Sequence, residues 1–136
     1  MDDTLKNLMK KYVGNLVDTE EFAHLFRNDN SHLRNCIMLI KKYPELNNYL
    51  EIYLEKYDVA NQIDIFGETP LHYSIYHLKN PIILNRTLNL LINAGANVNS
   101  QSIYGITPLH LALACGVDRE NIKNLVLRGA NVFDTK

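Results

Sequence analysis

Gly67-Glu68-Thr69-Pro70-Leu71-His72 returns further along the chain as Gly105-Ile106-Thr107-Pro108-Leu109-His110. A second marker follows each copy. Ala94-Gly95-Ala96-Asn97-Val98 comes back as Arg128-Gly129-Ala130-Asn131-Val132, in the same order. Self-similarity at such a period marks an array of stacked units, so the repeat is read before anything else. Thr69 lies 26 positions before Gly95, and Thr107 lies 22 before Gly129, so the first copy holds about four extra residues between its markers.

Each piece has a physical meaning. Thr before Pro starts a helix, because the hydroxyl can accept a first-turn N–H and Pro at the first position loses no needed donor. Leu109, Leu111, Ala112 and Leu113 supply an apolar face. Gly116 lets the chain turn, and Ile122, Leu125, Val126 and Leu127 give a second helix. Gly129 stands where a glycine ends a helix in a left-handed turn. In the first copy the pattern predicts a helix over Pro70–Leu78, a break at Lys79-Asn80-Pro81 and a second helix over Leu84–Asn93. The extra residues are expected in the connection between these paired helices.

The Thr-Pro-Leu-His hexads and the stretch Leu-Leu-Ile-Asn-Ala-Gly-Ala-Asn-Val-Asn (residues 90–99) resemble the ankyrin repeat family. That resemblance implies an all-α solenoid of stacked helix–turn–helix units joined by hairpin-like loops. Tyr73-Ser74-Ile75 departs from the small residues of the pattern, and Ser102 replaces the acidic residue that opens the hairpin turn. Two repeats cannot bury their faces alone, so residues upstream are expected to stack on them. Leu33, Cys36, Ile37 and Ile40, with Ser31 as cap, predict one helix. Leu46, Tyr49, Leu50, Tyr53 and Leu54, led by Pro44, predict another. Leu5, Leu8, Met9, Tyr12, Val13 and Leu16 form an amphipathic stripe. The expected organisation is an N-terminal helical cap over 1–30 and about three ankyrin repeats over 31–136. These are a degenerate one at 31–63, one with a long interhelical loop at 64–101, and one at 102–136. At the end of the array, the expectation is either that Asn121, Lys123, Asn124 and Arg128 make the outer side of the last pair polar, or that this side pairs with another chain, or that the chain is the front part of a longer array.

Composition narrows the function. The chain has 136 residues, 46% hydrophobic and 21% charged, which is ordinary for a folded domain. Fourteen basic against fifteen acidic side chains leave a net charge of −1, which argues against phosphate-backbone binding. The longest apolar run, Cys36 to Ile40, is too short to span a membrane, and Met1-Asp2-Asp3 opens no secretory signal. An intracellular location, cytoplasm or nucleus, is expected, with Cys36 and Cys115 as free thiols.

Candidate chemistry is sparse. His72 and His110 share a repeated helix start, and the resemblance implies that they tie neighbouring turns together. No cysteine accompanies His24 and His32 at a metal-ligand spacing. Cys115, five residues after His110, sits near a helix end, where the dipole disfavours a thiolate. There is no glycine-rich phosphate loop, no close carboxylate pair shows acid–base spacing, Glu20-Glu21 reads as the first turn of a helix, and Lys10-Lys11 and Lys41-Lys42 read as solvated helix faces. The sequence thus points to no enzyme, no cofactor and no metal. The resemblance implies a partner protein instead, bound through the hairpin tips Ile65, Phe66, Glu68, Ile103, Tyr104 and Ile106 and the helix positions Tyr76, His77, Ala114 and Cys115. The competing reading of the tips is that Phe66 and Tyr104 fold back and shield the hairpins. The long interhelical loop, the Asn, Ile and Tyr bias and the degenerate first repeat resemble ankyrin proteins of large DNA viruses, particularly poxviruses. This implies a modulator of host signalling, a sequestering binder in the manner of an NF-κB inhibitor, acting in the host cell as monomer or homodimer. The alternative is a structural unit that self-assembles through its C-terminal helix pair, with Leu125 and Val126 at the contact.

Overall fold

The computed structural model describes residues 32–132. These form the helices α1 (His32–Ile40), α2 (Leu46–Lys56), α3 (Pro70–His77), α4 (Pro81–Asn93), α5 (Pro108–Ala114) and α6 (Arg119–Leu127), with no strand among the described residues. The expected cap over 1–30 and the Ser31 helix start lie outside the described residues. Helices pair in sequence, α1 with α2, α3 with α4 and α5 with α6. The pairs then stack: α1 packs on α3 and α3 on α5 in one row, α2 on α4 and α4 on α6 in the other.

Local sequence explains the helix starts. Pro70 and Pro108 open α3 and α5 behind Thr69 and Thr107, and Thr107 Oγ1 accepts the His110 N–H at 3.2 Å. The Thr69 N–H donates instead to His72 Nδ1 at 3.0 Å, the side chain reaching back over the first turn. Asp118 caps α6 by accepting the Asn121 N–H. α2 lacks a side-chain cap. It is led in by a tight turn through Pro44, where Leu46, Asn47 and Asn48 each donate to the carbonyl three residues back.

The expected long interhelical loop in 64–101 is not there. α3 ends at His77 and α4 begins at Pro81, leaving three residues between them, whereas four separate α5 from α6. Asn80 is the reason: its Oδ1 accepts from the Ile82 and Ile83 N–H groups at 2.9 and 3.2 Å, and Pro81 takes the first helical position. The apparent break is a helix start, and the extra residues lengthen α4 to 13 against 9 in α6.

The core runs through all three pairs. Ile37, Ile40, Leu46, Tyr49 and Leu50 are fully buried in the first, Leu71, Ile75, Leu88 and Leu91 in the second, and Ala112 and Leu125 in the third. Polar links fix the stacking. In the α4–α6 contact, Asn85 Nδ2 donates to Asn121 Oδ1 (3.1 Å) and Asn124 Nδ2 to Asn89 Oδ1 (3.0 Å). Asn121 Nδ2 donates to the Pro81 carbonyl (3.0 Å), and Arg128 donates to Asn93 Oδ1. Asn121, Asn124 and Arg128 therefore join α6 to α4 and do not make up the polar outer side of the last pair expected from the sequence. The loops that close each unit are stitched likewise. Asn61 donates to the Gly95 carbonyl and accepts the Asn97 N–H, and Asn99 repeats this on Gly129 and Asn131.

Candidate functional site

Two hairpin turns precede α3 and α5 and set the geometry of the candidate surface. In the first, Asp64 Oδ1 accepts from the Phe66 and Glu68 N–H groups at 2.8 and 2.9 Å, and the Gly67 N–H donates to the Asp64 carbonyl. In the second, Ser102 Oγ does the same work for Tyr104 and Ile106 at 3.3 Å each. Gly67 and Gly105 hold φ of 71° and 74°, in the left-handed region that a side chain resists. The two turns are joined: the Ile103 N–H donates to the Phe66 carbonyl at 2.9 Å. A Cβ on Gly67 would sit 3.1 Å from the Ile103 nitrogen, so this close approach also requires glycine.

This turn chemistry leaves apolar tips in solvent. Ile65 is 86% exposed, Tyr104 72% and Phe66 46%, with Ile103 and Ile106 exposed beside them and Glu68 half-buried. Tyr104 stands clear of the hairpins, and Phe66 is only half covered. Tyr76, on α3, is 60% exposed, and its ring meets that of His77 edge-on at 5.2 Å. His77 and Cys115 are half-buried, Cys115 as the residue that ends α5, and Ala114 is exposed. The structure adds Ile63 and Leu113, both exposed, to the apolar set. Neither stands out in the sequence, because a residue before the turn and one inside a helical apolar stripe both look like core. The assembly reading is corrected in one respect. Leu125 is wholly buried, held between α6 and the rest of the core, while Val126, Leu127 and Leu113 are exposed.

His72 is structural. Its Nδ1 accepts from the Thr69 N–H, so the ring proton resides on Nε2, which donates to the Ile106 carbonyl of the next hairpin at 2.8 Å. The His110 ring, at the equivalent position of the last unit, has no such hairpin after it among the described residues. Cys36 is buried and its thiol is pushed up to about 12 by desolvation, which leaves it unreactive. Among the described residues no group of three His, Cys, Asp or Glu is placed to hold a metal ion, and no helix is long and apolar enough to cross a membrane.

Two grooves flank the first-helix row. One, of about 510 Å³, lies at the first hairpin and is lined by Leu33, Arg34, Ile63, Ile65 and Tyr73 among others. There the Arg34 guanidinium stacks over the Tyr73 ring, 4.8 Å from its centroid, and lies 3.9 Å from the Asp64 carboxylate. Desolvation works to raise the Asp64 pKa, but the Glu68 and Phe66 N–H groups, the Tyr73 hydroxyl and Arg34 outweigh it and hold the carboxyl below its ordinary value. Burial, and then the Asp64 charge, push the Tyr73 hydroxyl up. The second groove, of about 400 Å³, is lined by Lys41, Tyr76, His77, Lys79, Asn80 and Ile83, with Leu78. Burial, and then the charges of Lys41, Arg34 and Lys79, lower the His77 pKa.

Comparison with known proteins agrees with this architecture. The chain is 26% identical over 129 residues to "Ankyrin repeat protein OPG189" of Variola virus, an alignment covering 91% of this chain and 23% of that protein. It is 40% identical over 70 residues to "Putative ankyrin repeat protein FPV233" of Fowlpox virus, covering 50% of this chain and 13% of that protein. It is also 44% identical over 69 residues to the "RelA-associated inhibitor" of Mus musculus, covering 51% of this chain and 8% of that protein. The chain thus spans less than a quarter of the length of each of these relatives. The family profile "Ankyrin repeats (3 copies)" matches residues 28–136. With three stacked helix pairs, the hexads at the helix starts and that match over most of its length, the chain belongs to the ankyrin repeat family.

Proposed function

We propose that this chain is a non-enzymatic module that binds a partner protein through its hairpin tips and the adjacent side of the first-helix row. The observation that carries the reading is the row of exposed apolar tips, Ile65, Phe66, Ile103 and Tyr104, on turns that internal hydrogen bonds hold rigid. A monomeric surface seldom leaves such side chains together in water without an interaction to cover them. Because the turns are already ordered, little conformational entropy is lost on docking. Glu68, Tyr76, His77, Ile106 and Cys115 complete the contact. In this proposal residues 1–30 cap an array of units at 31–63, 64–101 and 102–136. The poxvirus relatives, and a relative whose name says that it associates with RelA and inhibits, support a viral modulator of host signalling inside the infected cell.

The test is affinity for a partner captured from host-cell lysate and then purified, with RelA assayed alongside. Phe66→Ala plus Tyr104→Ala should weaken binding at least thirtyfold, the equivalent of a single anchor worth about 2 kcal/mol, with an unchanged circular dichroism spectrum. Unaltered affinity in the folded double variant refutes the reading. Exposed Leu113, Val126 and Leu127 support a second one, self-assembly through the last helix pair. It requires a concentration-dependent mass in light scattering that Val126→Glu plus Leu127→Glu abolishes.

A further inference from the structure

We propose that the groove at the C-terminal ends of α1 and α3, lined by Lys41, Tyr76, His77 and Lys79, receives an acidic stretch of the partner protein. The proposal rests on the binding reading above and adds the chemistry of what is bound. The overall charge of −1 conceals a segregation along the fold. No Asp or Glu occurs in residues 32–44, 69–83 or 107–117, the segments that contain α1, α3 and α5, yet these carry Arg34, Lys41, Lys42 and Lys79. The carboxylates of the described residues lie in the second helices, the hairpins and the connections. Of the cations on the first-helix row, Arg34 is committed to Asp64 at 3.9 Å, whereas Lys41 and Lys79 form no ion pair among the described residues. Lys79 Nζ stands over the Tyr76 ring, 5.7 Å from its centroid. Among the described residues, burial first and then the charges of Lys41, Arg34 and Lys79 lower the His77 pKa, so the fields of Lys41 and Lys79 add in this groove.

The shape suits a peptide. Tyr76, Leu78 and Ile83 give the groove an apolar wall, and the cations rim it, so an acidic side chain can place its stem on the wall and its carboxylate between the ammonium groups. A nucleic acid strand requires a longer run of positive charge to neutralise successive phosphates. The groove lies at the opposite end of α3 from the hairpin tips. That helix has eight residues, about 12 Å at 1.5 Å each, which four residues of extended chain span. The partner segment is therefore apolar where it meets Ile65 and Phe66 and acidic about four residues away.

The experiment titrates the full, ¹⁵N-labelled chain with hexaglutamate, with hexaglutamine and a twelve-nucleotide oligothymidine as competing probes. Amide cross-peaks of Lys41, Tyr76, His77 and Lys79 should move with hexaglutamate alone. The response should fall at least fivefold in Lys41→Glu plus Lys79→Glu, whose altered side chains are exposed and leave the core intact, and it should fall again on raising salt. No movement with hexaglutamate, equal movement with hexaglutamine, or tighter binding of the oligonucleotide overturns the proposal. The purified partner separates this failure from that of the parent reading. If the charge reversal leaves affinity unchanged while the Phe66 and Tyr104 substitutions abolish it, the acidic-stretch proposal falls and the hairpin surface stands. A tenfold loss on charge reversal supports the proposal.

Discussion

Replacing Ser102 by aspartate should stabilise the protein, and the chain carries its own reference for how much. Asp64 and Ser102 occupy the same position of successive hairpins. The carboxylate takes its two N–H donors at 2.8 and 2.9 Å, the hydroxyl its two at 3.3 Å. A hydrogen bond to a charged acceptor contributes about 1.5–3 kcal/mol and a neutral one about 0.5–1.5, so two improved bonds offer roughly 2 kcal/mol. Part of that is lost. Asp64 also has Arg34 and the Tyr73 hydroxyl beside it, whereas Leu111 takes the place of Tyr73 in the next unit, and Ser102 is 7% exposed, so a carboxylate there is desolvated with less compensation. A net gain of about 1 kcal/mol remains, which raises Tm by about 4 °C. Thermal unfolding at pH 7 measures it, with Ser102→Asn as the control of equal shape and no charge. Accepting two N–H bonds lowers the folded-state pKa of the new carboxyl. Its contribution is then complete above the unfolded value and disappears as pH falls through the folded one. Aspartate that stabilises no more than asparagine at pH 7, or a gain that persists at pH 2, refutes the reasoning.

The remaining expectations use similar internal comparisons. His72→Leu should cost about 2 kcal/mol, because the buried Thr69 N–H loses its partner and the Ile106 carbonyl keeps only the Ser102 N–H, while His110→Leu, whose ring makes no such bridge among the described residues, should cost under about 0.5 kcal/mol in urea titrations. Gly67→Ala and Gly116→Ala both place a side chain at positive φ, at a cost of about 1–2 kcal/mol. Only Gly67 would also press on Ile103, so its variant should have the lower denaturation midpoint. The Asp64 carboxyl is held below its ordinary value, so its stabilisation exists above the unfolded pKa and is lost as pH falls through the folded one. Asp64→Asn should flatten the acid side of the stability profile, and an unchanged acid limb would contradict the hydrogen bonding described.

Much of the fold is legible in the sequence because its punctuation is local. Thr-Pro sets a helix start and the glycines that follow set its end, both within a few residues, so the helix–turn–helix units and the hexad register can be read directly. Asn80-Pro81 shows the limit. Beside Lys79 the pair looks like a break, yet an Asn that caps and a Pro that follows it are also a start signal, and what decides between them is whether Leu84, Leu88 and Leu91 find a core to face. The candidate tips are legible as apolar residues in turn positions. The groove of Lys41 and Lys79 is not, because these cations belong to successive units and meet only when one unit stacks on the next. In sequence Lys41-Lys42 looks like any solvated helix end. The destinations of Asn121 and Asn124 are hidden for the same reason: an asparagine on a helix looks solvent-facing until a neighbouring helix supplies its amide partner.

The amide rungs between α4 and α6 make their contact directional in a way that leucines alone could not. Greasy surfaces slide past one another with gentle penalties, whereas each donor here has its acceptor at one height only. Advancing one helix by a single residue would break the Asn85–Asn121 and Asn124–Asn89 amide bonds and the Asn121 bond to the Pro81 carbonyl together. The seam therefore behaves like a toothed rack, locked or disengaged, and the spacing between neighbouring hairpin tips is inherited from that mesh.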